Sequence, residues 1–236
     1  MRLLTFSIAL AAFGVAAFAA FGFGQRGKSE TVQPGDSELA THNPNMKTDS
    51  VVVAGGCFWC LEPLFEMVKG VTDVEVGYAG GLRTGVSYEQ VCTGATGHAE
   101  AVKVTFDPDQ VSKKYLLKLF FTLHDPTTKD AQGPDHGTQY RSAIFYKDED
   151  ERSLEQEVVK EIADAAIWNA PLTTTVEPLK NYTRAEEYHQ DYYKKFESAS
   201  FTQKMGMNAG YCTAIIEPKV RKFKKMLEHQ QQATTK

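Results

Sequence analysis

Val51-Val52-Val53-Ala54-Gly55-Gly56-Cys57-Phe58-Trp59-Cys60 reads as a short buried strand that turns directly into a helix. The helical pattern continues to Lys69, and Gly70 is placed to end it. Pro63 suits a first helical turn better than an interior, so the expected helix starts near Cys60 and leaves Cys57 on an exposed lip. A thiol there sits near the positive end of the helix dipole, which favours thiolate. Phe58 and Trp59 follow it at a point where a surface turn is ordinarily polar. A reactive sulfur beside an aromatic surface suggests chemistry on a small apolar group; the competing reading is a well-packed core corner.

Outward from this stretch, Val74, Val76 and Tyr78 alternate with Asp73, Glu75 and Gly77, the period of a half-buried strand. A glycine-rich loop spans Gly80 to Gly97, and His98–Phe106 is a strand stopped by Asp107-Pro108. Val111–Leu123 is helical by length and apolar stripe, and His124–Gln139 is a long polar loop. Tyr140–Tyr146 is a strand, Asp148–Ala166 an amphipathic helix with an acidic first turn, Thr173–Val176 a short strand and Arg184–Phe196 a short helix. The order β-α-β-β-α-β predicts an α+β fold: a mixed sheet with a ferredoxin-like core, helices packed on it, and an irregular C-terminal tail.

The 236 residues are 42% hydrophobic and 24% charged with net charge −4, which excludes a disordered or membrane-embedded chain and gives no basic stripe for nucleic acid. Four cysteines are too few for a disulfide scaffold. At the N-terminus, Arg2 precedes an uncharged run from Leu3 to Gly24 and then Arg26 and Lys28. Residues 1–26 therefore read as a signal peptide, with Ala17-Phe18-Ala19 as a cleavage site, or as an uncleaved membrane anchor. Residues 27–50 read as a linker and 51–236 as the single folded domain, expected outside the cytoplasm as a periplasmic or membrane-anchored protein.

Glu100 falls on the side of its strand shared by Val102, Val104 and Phe106, where burial raises a carboxyl pKa and equips it as a general acid. The competing reading is a solvated strand end or a carboxylate paired with a base. In the long loop, Asp135 is suited to fix a tyrosine, a water or a backbone amide, and Tyr140 to donate a phenolic hydrogen bond; a plain turn is the alternative. Cys60 completes a C-x-x-C with Cys57, and Cys212 lies in the tail, where a mobile segment would deliver a second thiol. Cys92 reads as structural. No second C-x-x-C or close histidine pair completes a zinc site, and no metal or cofactor is expected.

Taken together, these segments resemble the A-type peptide-methionine (S)-S-oxide reductases. The resemblance is carried by Gly56-Cys57-Phe58-Trp59, Gly77-Tyr78-Ala79-Gly80-Gly81, Tyr88-Glu89-Gln90-Val91-Cys92, Thr96-Gly97-His98-Ala99-Glu100-Ala101-Val102 and His124-Asp125-Pro126. Asp135-His136-Gly137-Thr138-Gln139-Tyr140-Arg141-Ser142 and Glu187-Tyr188-His189-Gln190 extend it, so that it covers nearly all of residues 51–225. It implies that Cys57 attacks the sulfoxide sulfur and that Phe58 and Trp59 hold the substrate methyl. Glu100 would protonate the oxygen with help from Tyr88 and Tyr140, and Asp135 would organise a water or tyrosine. Cys57 would end as sulfenic acid and condense with a second thiol, and a thioredoxin-like dithiol would reduce the disulfide. Many members carry glycine where this chain has Cys60, so the resolving thiol stays open: Cys212, the first choice, matches the usual recycling position, Cys60 is the alternative, and a relay through both is the third. The expected partners are free or protein-bound methionine sulfoxide and the dithiol, with the chain a monomer. An exported thiol–disulfide oxidoreductase built on Cys57 and Cys60 is the runner-up reading, and a non-catalytic binding or metal module the third.

Overall fold

The computed structural model describes residues 47–234. The expected export segment, 1–26, and most of the expected linker lie outside the described residues. The linker ends earlier than anticipated, because strand β1 already begins at Asp49 and runs to Gly55.

Helix α1 spans Phe58–Glu66, β2 Val71–Ala79, α2 Tyr88–Cys92, β3 Ala99–Phe106 and α3 Lys113–Leu123. A two-residue ladder, β4 at Ala131–Gln132 and β5 at Asp135–His136, folds back the long loop before β6 at Ser142–Tyr146. Then come α4 at Glu149–Asp164, β7 at Thr175–Pro178, β8 at Thr183–Arg184, α5 at Tyr192–Ser198, α6 at Phe201–Lys204, α7 at Ala209–Tyr211 and α8 at Glu217–Thr234. A π-helical turn, Cys212–Ile216, joins α7 to α8.

The main sheet has the order β7-β6-β1-β3-β2-β8. Within it, β6-β1-β3-β2 pair antiparallel and form the expected ferredoxin-like core, while β7 joins β6 in parallel, which makes the sheet mixed. Register follows the alternation read from the sequence: Val53 opposes Val102 and Tyr78 opposes Glu100. One face carries Val102, Val104 and Phe106 into a core shared with Leu61, Leu64 and Phe65 of α1 and Leu117, Phe120 and Phe121 of α3. Each such side chain contributes on the order of 1.5–3 kcal/mol by leaving water. The other face is built from Ala54, Ala79, Ala99, Ala101 and Phe145, covered by Leu179 and Tyr182.

Three expectations fail locally. Arg184 lies in a short strand and not at the head of a helix; α5 starts only at Tyr192, after Asp191 takes a left-handed turn at φ 49°. Tyr140 lies in a 3₁₀ turn, Thr138–Tyr140, before β6. The tail is not irregular to its end, because α8 is a regular helix. Ile216, Val220 and Phe223 fall on one helical stripe and are buried, and the exposed Arg221, Lys222, Lys224 and Lys225 around them mask the period.

Candidate active site

Cys57 closes β1 into α1. Gly56 before it takes φ 92°, and a Cβ there would lie 2.5 Å from the Gln132 side chain, so the turn requires glycine. Gln132 is fixed in turn by Asp125, whose N–H it accepts at 3.2 Å and whose carbonyl it reaches at 3.0 Å. Cys57 becomes the residue that caps α1, and the Cys60 N–H donates to its carbonyl at 3.0 Å. The exposed lip does not form: α1 starts at Phe58 with Pro63 inside it, and Cys57 is only 7% exposed.

Burial also overturns the expected thiolate at Cys57. Desolvation first, then its hydrogen bond to Cys60 and the Glu100 charge, push the Cys57 thiol well above the usual range. A helix start offers about 0.3–1 kcal/mol to an anion, less than the several kcal/mol that burying a charge costs. The hydrogen bond from Cys57 instead draws Cys60 down to about 7 against its own burial, with Lys219 and Tyr211 assisting.

Glu100 lies at the β3 end beneath α1, 1% exposed, and its Oε2 accepts the Phe58 N–H at 3.1 Å. Burial raises its pKa to about 8, so it is largely protonated at neutral pH. Its neighbours include the Cys57 side chain. Tyr88 and Tyr140 are both half-buried near Glu100; burial first and the Glu100 charge second hold their phenols protonated. The backbone N–H of Tyr88 donates to Glu186 Oε1 at 2.9 Å, and Glu186 Oε2 takes the Tyr78 hydroxyl at 2.7 Å, which fixes the start of α2 over the sheet.

Asp135 accepts the Tyr211 hydroxyl at 2.6 Å, and that same oxygen lies 3.4 Å from Cys60 Sγ. The loop and the tail thus meet at the C-x-x-C through a tyrosine that the sequence reading did not single out. Cys212, next in the chain, is fully buried, its thiol pushed up to about 11 by desolvation and then by Cys60.

The aromatic wall is larger than Phe58 and Trp59. Trp59 stacks on Tyr192 at 3.8 Å between centroids with planes 8° apart. His189, 1% exposed and held neutral by burial, packs on Phe58 at 5.1 Å, Trp59 at 5.4 Å and Tyr88 at 4.5 Å. Tyr192 is positioned by Glu62, whose carboxyl accepts the Asp191 and Tyr192 N–H groups at 2.6 and 3.1 Å, and its hydroxyl accepts the Asn208 N–H at 2.8 Å. Glu62 and Tyr192 therefore link α1 to the turn that carries Cys212. The sequence signals were present: Glu62 is an acid on the apolar side of α1, and Ser87 with Gln90 forms the capping box that starts α2 at Tyr88.

A groove of about 430 Å³ elsewhere, lined by Glu66, Asp73, Glu75, Glu187, Arg184 and Lys194 among others, takes in none of these site residues. Among the described residues no cluster of three His, Cys, Asp or Glu side chains could hold a metal ion.

A thiol, a protonated carboxyl, two phenols and an aromatic wall thus converge at one corner. The family model described as peptide methionine sulfoxide reductase matches residues 49–232, which takes in all of them. The chain belongs to that family. A peptide methionine sulfoxide reductase of Polynucleobacter asymbioticus is 44% identical over 176 residues, 75% of this chain and 87% of that protein. One from Deinococcus radiodurans is 40% identical over 200 residues, 85% of this chain and 87% of its own. The reduced form of Mxr1 from Saccharomyces cerevisiae superposes with a TM-score of 0.61 at 34% identity, covering 69% of this chain and 93% of that one. The chain is accordingly an oxidoreductase of the methionine sulfoxide reductase class.

Proposed function

We propose that this chain reduces the S epimer of methionine sulfoxide, free or in proteins, with Cys57 as nucleophile and Glu100 as acid. The observation that carries the reading is Glu100, buried beside Cys57 with its pKa raised to about 8 and its Oε2 accepting the Phe58 N–H at 3.1 Å, at the foot of an aromatic wall. The sulfoxide methyl lies against Phe58 and Trp59, and its oxygen faces Glu100, Tyr88 and Tyr140. Glu100 gives its proton to the oxygen as the Cys57 sulfur attacks, and takes up the thiol proton in return. The S–S bond formed in that attack breaks as the oxygen passes, as hydroxyl, from the substrate sulfur to the Cys57 sulfur, so that methionine departs and Cys57 is left as sulfenic acid. A second thiol of the chain expels that oxygen as water, with Cys212 as the thiol left in the disulfide presented to the outside. A thioredoxin-like dithiol then reduces it.

Asp135 acts through Tyr211, which it holds at the site. The enzyme works as a monomer outside the cytoplasm, a reading supported by the basic start and uncharged run of residues 1–26. Cell fractionation with N-terminal sequencing tests the location, and would decide between cleavage and a retained anchor. The activity is tested by methionine release from each epimer with a dithiol as donor. Turnover of the S epimer alone is expected; no release from S by folded protein overturns the reading.

A further inference from the structure

The aromatic wall does not end at the methyl pocket. His189, which packs on Phe58, Trp59 and Tyr88, also packs on Tyr188, with ring centroids 4.2 Å apart. Phe58 is 1% exposed and Tyr188 55%, so the wall climbs from the buried thiol corner to solvent through one histidine. Both ring nitrogens of His189 are buried, and among the described residues neither has a hydrogen-bond partner. Buried polar atoms are normally paired, so unmet ones beside an exposed ring point to a face that a ligand completes.

Two carboxylates flank that ring. After partial burial, the charges of Glu186 and Glu89 act on the Tyr188 phenol and keep it protonated. Glu186 is held ionised, against its own partial burial, by the Tyr88 N–H at 2.9 Å and the Tyr78 hydroxyl at 2.7 Å. Glu89, in the first turn of α2, is exposed and held ionised by the Ser87 hydroxyl at 2.8 Å. Neither carboxylate has a lysine or arginine partner among the described residues; Arg184, two residues before Glu186, is taken by Glu75 and Glu187. Glu151, Glu161 and Glu177, by contrast, each meet a lysine or arginine of the chain. An exposed ring between two unpaired carboxylates attracts an organic cation, which lies on the ring face while the carboxylates accept its hydrogen bonds.

We propose that Tyr188, Glu89 and Glu186 form a subsite for a lysine or arginine side chain next to the methionine sulfoxide in a polypeptide substrate. The inference rests on the reductase reading, which puts the sulfoxide methyl at Phe58 and Trp59. Adjacent residues of a chain are about 3.8 Å apart at Cα, so the long side chain beside a bound methionine sulfoxide reaches the next ring of the wall. The subsite selects among oxidised methionines by their sequence and takes no part in the chemistry.

The test compares kcat/KM at low salt for end-blocked peptides of the S-sulfoxide that carry lysine, alanine or glutamate on either side of it. Lysine is expected to exceed glutamate by about three- to tenfold at one of the two positions, the size of an exposed cation–π contact with weak ion pairing. That ratio shrinks toward one in about 0.5 M salt. Tyr188→Ala and Glu89→Gln are each expected to cut it by about half or more, whereas Tyr188→Phe keeps the ring and most of the ratio. Equal rates for lysine and glutamate at both positions overturn the subsite. So does a lysine preference that survives whole in Tyr188→Ala, which the net charge of −4 would produce by itself. In either case turnover of the alanine peptide leaves the reductase reading intact; no turnover of it by folded protein overturns both.

Discussion

The Cys57 corner and the Cys212 turn carry thiols of one site but are held by different means. Cys57 stands between β1 and α1, and β1 is locked by antiparallel pairing to β3 on one side and β6 on the other. Cys212 stands on short helical turns fixed by local hydrogen bonds and by two phenols, those of Tyr192 and Tyr211. Strand pairing and core burial give the first a single geometry, as a reacting centre needs. The second is buried as well but has no strand pairing to hold it, so local opening is the motion by which its thiol would travel. On the proposed reading the site divides into a fixed half that would meet the sulfoxide and a movable half that would clear the sulfenic acid.

Substitutions in the fixed half should cost the most. Cys57→Ser is expected to reduce methionine release to background, single turnover included, because it removes the sulfur that makes the attack on the proposed reading. Glu100→Gln keeps the shape and loses the proton, and an initial rate lower by about 10²–10⁴-fold is expected. The pH profile sharpens this. The Glu100 pKa is raised to about 8 and the reaction needs the protonated form, so kcat/KM falls as pH rises through about 8. In Glu100→Gln that alkaline fall disappears from what activity remains.

In the movable half, Tyr211→Phe breaks the link to both Asp135 and Cys60. The first methionine should be released at close to the normal rate, while disulfide formation slows by about tenfold, the effect of losing one charged hydrogen bond. Rapid-quench disulfide mapping separates the two steps. A Tyr211→Phe enzyme slowed equally in both would erase the distinction between the halves. Cys92→Ser should do least. Cys92 is exposed and neighbours the site only at its edge, beside Tyr88, so turnover is expected to stay within about twofold, the range of surface substitutions.

The fixed half was largely legible in the sequence because its signals are local. The alternation through β3 put Glu100 on the face of Val102 and Val104, and the run ending at Gly56 marked the strand-to-helix turn. The exposure of Cys57 was not legible there: Pro63 lies inside α1, which starts already at Phe58, and tertiary packing closes the corner. The movable half was legible only as a cysteine. Tyr211 meets Cys60 across 151 positions and Asp135 across 76, and no period or motif encodes such pairs. His189 and Tyr192 join the aromatic wall by the same kind of long-range packing.

The central claim is that Cys57 takes the sulfoxide oxygen at the expense of the S epimer alone. It is tested most directly in a chain carrying Cys60→Ser and Cys212→Ser, where nothing clears the sulfenic acid. One equivalent of each epimer is added separately, and methionine and the dimedone adduct are counted. One methionine and one adduct on Cys57 per chain from S, with neither from R, is the predicted result. Methionine release with the adduct on Cys92, or an equal yield from the R epimer, would contradict it.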